Sequence, residues 1–108
     1  GFYRGKPILF GLGTLVGQQV FLDAPPAVQA LWAEMSPDGY VATISISPPD
    51  VLGIELTPTT LNSDRLPMIA TGKDFDRIHH RLVSLSAPYG AEIVSDGTVL
   101  HARAAGPR

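Results

Sequence analysis

The stretch that most constrains the fold lies at residues 71–90, because it predicts an amphipathic helix with both ends marked. Thr71 and Asp74 have the spacing of a capping box, in which side chains satisfy free amides at a helix start. Pro88 and Gly90 then end the helix. The apolar residues between these signals recur at three- and four-residue spacing, typical of one buried helix face: Phe75, Ile78, Leu82 and Leu85.

A shorter amphipathic helix is predicted earlier in the chain, beginning at Asp23 or Ala24. Proline is acceptable at position 26 because amides in the first turn of a helix have no hydrogen-bond partner within the helix, so the missing amide hydrogen costs no bond. The turn signal Ser-Pro-Asp-Gly at residues 36–39 ends this helix. Its apolar face, which we expect to be buried, consists of Val28, Leu31, Trp32 and Met35.

Between the two helices, alternating and β-branched residues predict a hairpin of residues 40–46 and 51–57 with a proline-rich connection. In its second strand the alternation places two sets of side chains on opposite faces: Val51, Gly53 and Glu55 on one, and Leu52, Ile54 and Leu56 on the other. Residues 58–64 are polar and rich in turn formers, so we expect an exposed loop there.

Strands are also predicted at both ends of the chain. Residues 8–10 and 15–22 form strands around a glycine turn, and residues 92–94 and 98–102 form a hairpin that turns at Asp96-Gly97. The predicted order ββαββαββ indicates an α+β fold with two amphipathic helices, and 108 residues suffice for one small domain.

Composition limits the partners that this chain can bind. Charged residues make up 17% of the chain, against about 25% in typical domains, so many segments have little polar surface and we expect a partner surface to cover them. A net charge of -2 with scattered basic residues argues against nucleic acid. The longest apolar run, residues 7–16, is short of the roughly 20 residues that span a bilayer, so we expect no membrane span.

No residue pattern in the sequence predicts a catalytic or metal site. His79 and His80 are adjacent on a helix and point about 100° apart, which does not suit one shared ion. His80 and Ser84 are four residues apart, but no third group completes a nucleophilic site. His101 lies in a strand without a ligand pattern, the carboxylates fit turns and a helix start, and the chain has no cysteine.

The glycine-rich run at residues 11–17 matches neither the dinucleotide fingerprint nor the Walker motif. Glycines let a backbone come close to another surface, so we expect this run to pack tightly against another strand or loop.

Two stretches resemble the CapA family, whose members are associated with poly-γ-glutamate capsule synthesis. Residues 3–16, which read YRGKPILFGLGTLV, are similar to the family's Y-x-G-[KR]-P-I-F-Y-[SG]-L-G-N-F-V-F. Residues 85–90, which read LSAPYG, are similar to its L-S-A-P-F-G after a helix, and residues 51–58 resemble its strand ending in x-L-x-P. The order and spacing of these stretches agree with the family as well.

The resemblance implies that this chain is the C-terminal segment of a CapA-like protein, with the N-terminal part missing. That segment would be the β-rich C-terminal portion of a calcineurin-like four-layer α/β/β/α sandwich. The complete protein would be a bacterial metal-dependent phosphoesterase or hydrolase, cell-envelope-associated or cytoplasmic. The family's metal ligands lie upstream of the position of Gly1, so a divalent metal is expected in the complete protein and none in this chain.

Two residues depart from the family pattern in the first stretch. Thr14 stands where the family has Asn, and Gly17 stands where it has an aromatic residue. A site role of the family's Asn is not carried over to Thr14, and Gly13 and Thr14 are the candidates only for lining the cleft of the complete protein, with no catalytic residue predicted in this segment. Gly1 in place of Met agrees with a cut N-terminus.

The partner expected from the resemblance is the missing N-terminal half or a second copy of the chain. The alternative is a self-sufficient, non-catalytic α+β module that binds a protein or a small ligand.

Overall fold

The computed structural model describes residues 1–15 and 22–105, which form an α+β fold with an antiparallel sheet and two helices. The helices are α1 (Pro26–Ala33) and α2 (Gly72–Ser86). The strands are β1 (Phe2–Tyr3), β2 (Lys6–Pro7), β3 (Gly39–Ser47), β4 (Asp50–Leu61), β5 (Pro67–Ile69), β6 (Ala91–Ser95) and β7 (Leu100–Ala104). The predicted α+β class is confirmed.

The main sheet has five strands, of which β3, β4, β7 and β6 are neighbours in that order. The central strand β4 is 12 residues long and pairs with β3 along one edge. Its other edge pairs first with β7, at Glu55 and Leu56, and then with β5, at residues 59–61. Strands β1 and β2 form a separate small hairpin.

Helix α2 packs on one face of this sheet, and the core lies between them. Phe75 joins Ile54, Leu56 and Leu100 in one buried cluster, as the apolar spacing of α2 predicts. The predicted burial of Leu85 on the same helix face is wrong, because its side chain is 59% exposed. The helix begins after Thr71, but the predicted capping box is wrong because the Thr71 side chain makes no capping bond. The carboxylate of Asp74 accepts a hydrogen bond from Arg77 instead.

The predicted burial of the first helix face is wrong. No residue of α1 is buried, and Leu31 is 63% exposed. The sequence of α1, PAVQALWA, contains no charged residue, so its faces differ little in polarity and the pattern does not specify an inward side. Neither helix in the described part of the chain is long and apolar enough to cross a membrane.

The loop predicted at residues 58–64 is wrong up to Leu61, since β4 continues through Pro58, Thr59 and Leu61, which are all buried. A proline is tolerated in this central strand because of the pairing pattern. Pro58 lies opposite Tyr40, whose amide donates away from β4 to the Leu12 carbonyl at 3.0 Å. This pair therefore exchanges no ladder hydrogen bonds, and β3 does not need an amide from Pro58.

A β-bulge corrects the predicted alternation of β4. Ser45 pairs with Gly53 but Ile46 pairs with Val51, so Leu52 is the extra residue. Val51 consequently packs against the core cluster, whereas Leu52 is 68% exposed. The two side chains have exchanged the faces that strict alternation gives them.

The C-terminal hairpin is confirmed, with β6 longer than predicted by one residue at each end and β7 shifted two residues toward the C-terminus. The Asp96 carboxylate accepts hydrogen bonds from the amides of Thr98 and Val99, both at 2.9 Å, and so stabilises the turn. At the N-terminus, the predicted strand at residues 8–10 is wrong, because the hairpin forms earlier, from β1 and β2. Most of the predicted strand at residues 15–22 lies outside the described residues.

Candidate functional site

A cavity of about 600 Å³ lies between the N-terminal segment, the start of β3 and helix α2. Residues from all three elements line it, and most of them are apolar. They include Phe10, Leu12, Tyr40, Ile78, Leu82 and Tyr89. Gly13 and Thr14, the residues expected to line a cleft, both border this cavity. This concave, mostly apolar surface with a few polar groups at one side is the candidate site.

Gly13 and Thr14 of the glycine run pack tightly against the start of β3, as predicted from the sequence. Gly13 and Gly39 form a β-bridge, and the Thr14 amide donates to the Asp38 carbonyl at 3.0 Å. Gly13 has a φ of +77°, and a Cβ built on it would lie 2.5 Å from the Asp38 carbonyl oxygen. Glycine is required at this position by both conformation and space.

Tyr40 fixes the same segment from the other side of the bridge. Its amide donates to the Leu12 carbonyl, and its hydroxyl donates to the Gly11 carbonyl at 2.8 Å. Burial raises the pKa of Tyr40, so the hydroxyl remains a proton donor at neutral and mildly alkaline pH. Farther away, the Lys6 ammonium group donates to the Pro49 carbonyl and joins the β1–β2 hairpin to the tip of β3 and β4.

An ion-pair cluster lies at the edge of the cavity. The Arg77 guanidinium donates to both carboxylate oxygens of Asp38, from Nε at 2.8 Å and from Nη2 at 2.7 Å. Thr60 donates to the same carboxylate at 3.0 Å, and the Asp38 side chain is only 10% exposed. Arg77 also donates to Asp74 at 2.7 Å. The cluster therefore links α2 to the turn before β3 and to β4.

The Arg77 hydrogen bonds hold the pKa of Asp38 below its ordinary value, an effect that outweighs the opposing effect of burial. The same carboxylates raise the pKa of Arg77. Both groups are therefore charged at neutral pH and already engaged with each other. This pair is suited to stabilising the fold, not to proton transfer, because a general acid or base needs a pKa near the working pH.

Arg81 lies one helical turn after Arg77 and lines the cavity directly. Its Nη1 atom is 3.4 Å from the Ser36 hydroxyl, so it is held only weakly. Asp38 and Arg81 are the charged side chains among the cavity-lining residues. The interior of the cavity is thus suited to apolar surface, with polar groups confined to one side.

The histidines and the serine considered from the sequence as catalytic or metal-binding residues do not line this cavity. His80 and Ser84 are both exposed on α2, and neither lines it. The His79 ring is 6.2 Å from the Phe75 ring, and His101 Nε2 lies 3.3 Å from Asp96 Oδ2 at the far hairpin. Within residues 1–15 and 22–105, no three His, Cys, Asp or Glu residues are grouped as metal ligands.

Sequence reasoning missed the Asp38–Arg77 pair. It assigned Asp38 to a turn, and only the i,i+3 spacing of Asp74 and Arg77 on one helix pointed to an ion pair. Asp38 and Arg77 are 39 positions apart, so no local sequence pattern signals their contact, which forms only when α2 packs on the sheet.

Comparison with known proteins identifies no relative: no family model matches the chain, and no curated protein or solved structure matches it.

Proposed function

We propose that this chain is the C-terminal part of a CapA-like protein of poly-γ-glutamate capsule synthesis, with the cavity filled in the complete protein by preceding polypeptide. One observation carries the proposal. The segment that resembles the family, residues 3–16, forms one wall of the apolar cavity through residues 7–14. Phe10 in that wall is 72% exposed, and Leu85 and Tyr89 on the opposite wall are also exposed. Such apolar surface is typical of a contact site.

The sheet face opposite α2 supports this choice of surface. It carries the paired side chains of Glu92 and Arg103, which form an ion pair at 2.7 Å, and the His101 side chain. A polar face of this kind suits solvent better than a second sheet. Preceding polypeptide would therefore contact the cavity side first, and the polar face counts against a second sheet packed there as in an α/β/β/α sandwich.

In this proposal the complete protein is a metal-dependent phosphoesterase or hydrolase whose metal ligands come from the preceding polypeptide. Gly13 and Thr14 would line its cleft through their backbone, which is held by the Gly13–Gly39 bridge and by the hydrogen bond from the Thr14 amide to the Asp38 carbonyl. This segment would supply the wall of the site, and the chain alone would be inactive.

The test compares the complete encoded protein with this chain. We expect the complete protein to bind Mn²⁺ by calorimetry and to hydrolyse bis(p-nitrophenyl) phosphate, whereas the 108-residue chain does neither. Adding EDTA should abolish the hydrolysis. A gene that encodes no His, Asp and Asn metal motifs ahead of Gly1 would contradict the proposal.

The alternative, a self-sufficient binding module, has one observation in its favour. Ile54, Leu56, Phe75 and Leu100 form a closed core within this chain, without any contribution from outside. If the chain is such a module, it unfolds cooperatively alone and an apolar probe such as ANS saturates the cavity at one molecule per chain. Uncooperative unfolding would instead favour dependence on further polypeptide.

A further inference from the structure

The outer edge of β3 has unpaired backbone groups. The Tyr40 amide donates outward, away from β4, to Leu12. Because amide and carbonyl groups alternate between the two edges of a strand, the same groups of Ala42, Ile44 and Ile46 also point outward. In the described part of the chain, nothing pairs with these three residues on that edge. The edge can therefore accept another strand.

This edge also lacks the features that usually prevent strand addition. Natural edge strands are protected by charges, prolines or short length. Strand β6 carries Glu92 and is five residues long, and β5 has three residues and begins with Pro67. Strand β3 has nine residues, GYVATISIS, with no charge and no proline, and residues 42–46 form its free edge in the described part of the chain.

We propose that β3 pairs antiparallel with β3 of a second copy of the chain, about a two-fold axis at Ile44. Ile44 then exchanges two backbone hydrogen bonds with Ile44 of the second copy, and Ala42 and Ile46 pair with each other across the axis. The free groups of the two copies match because the edge is self-complementary under this rotation. This inference is independent of the CapA-like proposal.

Side chains and charge support a second copy as the occupant. Ile44 and Ile46 are exposed, the latter by 62%, and their side chains would form cross-strand pairs with Ile44 and Ala42 of the second copy. The absence of charge in β3 removes like-charge repulsion between identical strands. The pairing consumes the β3 edge of both copies, so it yields a closed dimer and not a fibre.

The test measures the oligomeric state of the purified chain by light scattering and sedimentation equilibrium. We expect a mass twice the 11.5 kDa of the chain at micromolar concentrations. Ile44→Pro removes an outward amide without breaking the β3–β4 ladder, and edge strands tolerate proline. By symmetry it removes two hydrogen bonds, so the dissociation constant of the dimer should rise by at least about 30-fold.

Ser95→Pro is the matched control because it places a proline on the outer edge of β6, whose outward amides are those of Ala91, Ile93 and Ser95. This variant should remain dimeric. A wild-type chain that is monomeric, that forms open-ended aggregates or that loses its dimer equally with Ser95→Pro would overturn the proposal.

Hydrogen exchange provides a test that does not depend on the folding of a variant. In the dimer the outward amide of Ile44 should exchange as slowly as those of Thr43 and Ser45, which bond to β4. In the dissociated chain, obtained by dilution, the Ile44 amide should exchange faster while its two neighbours remain protected. A fast Ile44 amide in a dimeric sample would place the interface elsewhere and reject the inference.

Discussion

At the scale of single residues, Gly13 determines how the N-terminal segment meets the sheet. Its positive φ leaves no room for a side chain, because a Cβ at this position would lie 2.5 Å from the Asp38 carbonyl oxygen. We expect Gly13→Ala to lower the free energy of unfolding by about 2 kcal/mol, through backbone strain and displacement of the segment. Urea unfolding followed by circular dichroism measures this change.

Gly11→Ala is the matched control for that experiment. Gly11 lies two residues away in the same run, but a Cβ there meets nothing within 4 Å. Its effect should stay within about 0.5 kcal/mol. Equal losses from both substitutions would show that the contact with Asp38 does not hold the segment.

The ion pair of Asp38 with Arg77 should make the stability of the fold depend on pH. Its pKa is lower in the folded chain than its ordinary value of 3.8, so its ion pair with Arg77 stabilises the fold above that value. The stabilisation is lost as pH falls through the folded pKa. Asp38→Asn should cost about 1 kcal/mol at neutral pH, because Arg77 is half-exposed, and the difference from the wild type should shrink below about pH 4.

Thermal unfolding from pH 7 to pH 2 measures this difference, and Asp76→Asn on the exposed side of α2 is the control. Part of the acid dependence should persist in Asp38→Asn, because backbone amides of Val99 and Thr98 lower the pKa of Asp96 as well. A difference that is independent of pH would exclude the ion pair as its source.

At the scale of elements, the bulge in β4 reverses the sheet faces that strict alternation predicts for Val51 and Leu52. Val51→Ala should cost about 1 kcal/mol because Val51 packs against the core cluster. Leu52→Ala should stay within about 0.5 kcal/mol because its side chain is exposed. Chemical denaturation of both variants checks the order, and the reverse order would support strict alternation without a bulge.

The elements that the sequence predicts well are those with strong local signals. Helix α2 has a sustained apolar period, and the β6–β7 hairpin has an Asp-Gly turn. The extension of β4 through Pro58 could not be predicted, because the tolerance for proline depends on the orientation of Tyr40 in another strand. The prediction of a buried face on α1 was wrong for a different reason. The sequence of α1 has no charged residue to distinguish an outer face from an inner one.

The candidate site shows the same division between local and tertiary information. Gly13 was expected to pack closely on another segment, and it does so at Gly39. The Asp38–Arg77 pair was missed because it forms only through tertiary packing. No sequence pattern indicated which exposed apolar residues would face one another across the cavity.

At the scale of the whole molecule, apolar and polar surfaces are distributed unevenly. The chain measures 50 × 26 × 26 Å, and its long direction is consistent with the 12-residue strand β4 and its partner β3. One side carries α2 and the apolar cavity, and the other carries charged strand residues such as Glu92 and Arg103. In the β3-paired dimer both cavities would open on the same side of a continuous sheet, because the two-fold axis is perpendicular to it.

Pro58 has a mechanical consequence for this sheet. It divides one edge of β4 into two separately bonded stretches, with β7 paired on one side of the proline and β5 on the other. Because Pro58 has no amide hydrogen, the ladder at this point keeps one hydrogen bond, which the Ala70 amide donates to the Pro58 carbonyl at 2.9 Å. With one ladder hydrogen bond fewer at Pro58, strand β5 is expected to open before the β7 ladder and the core beneath α2 do.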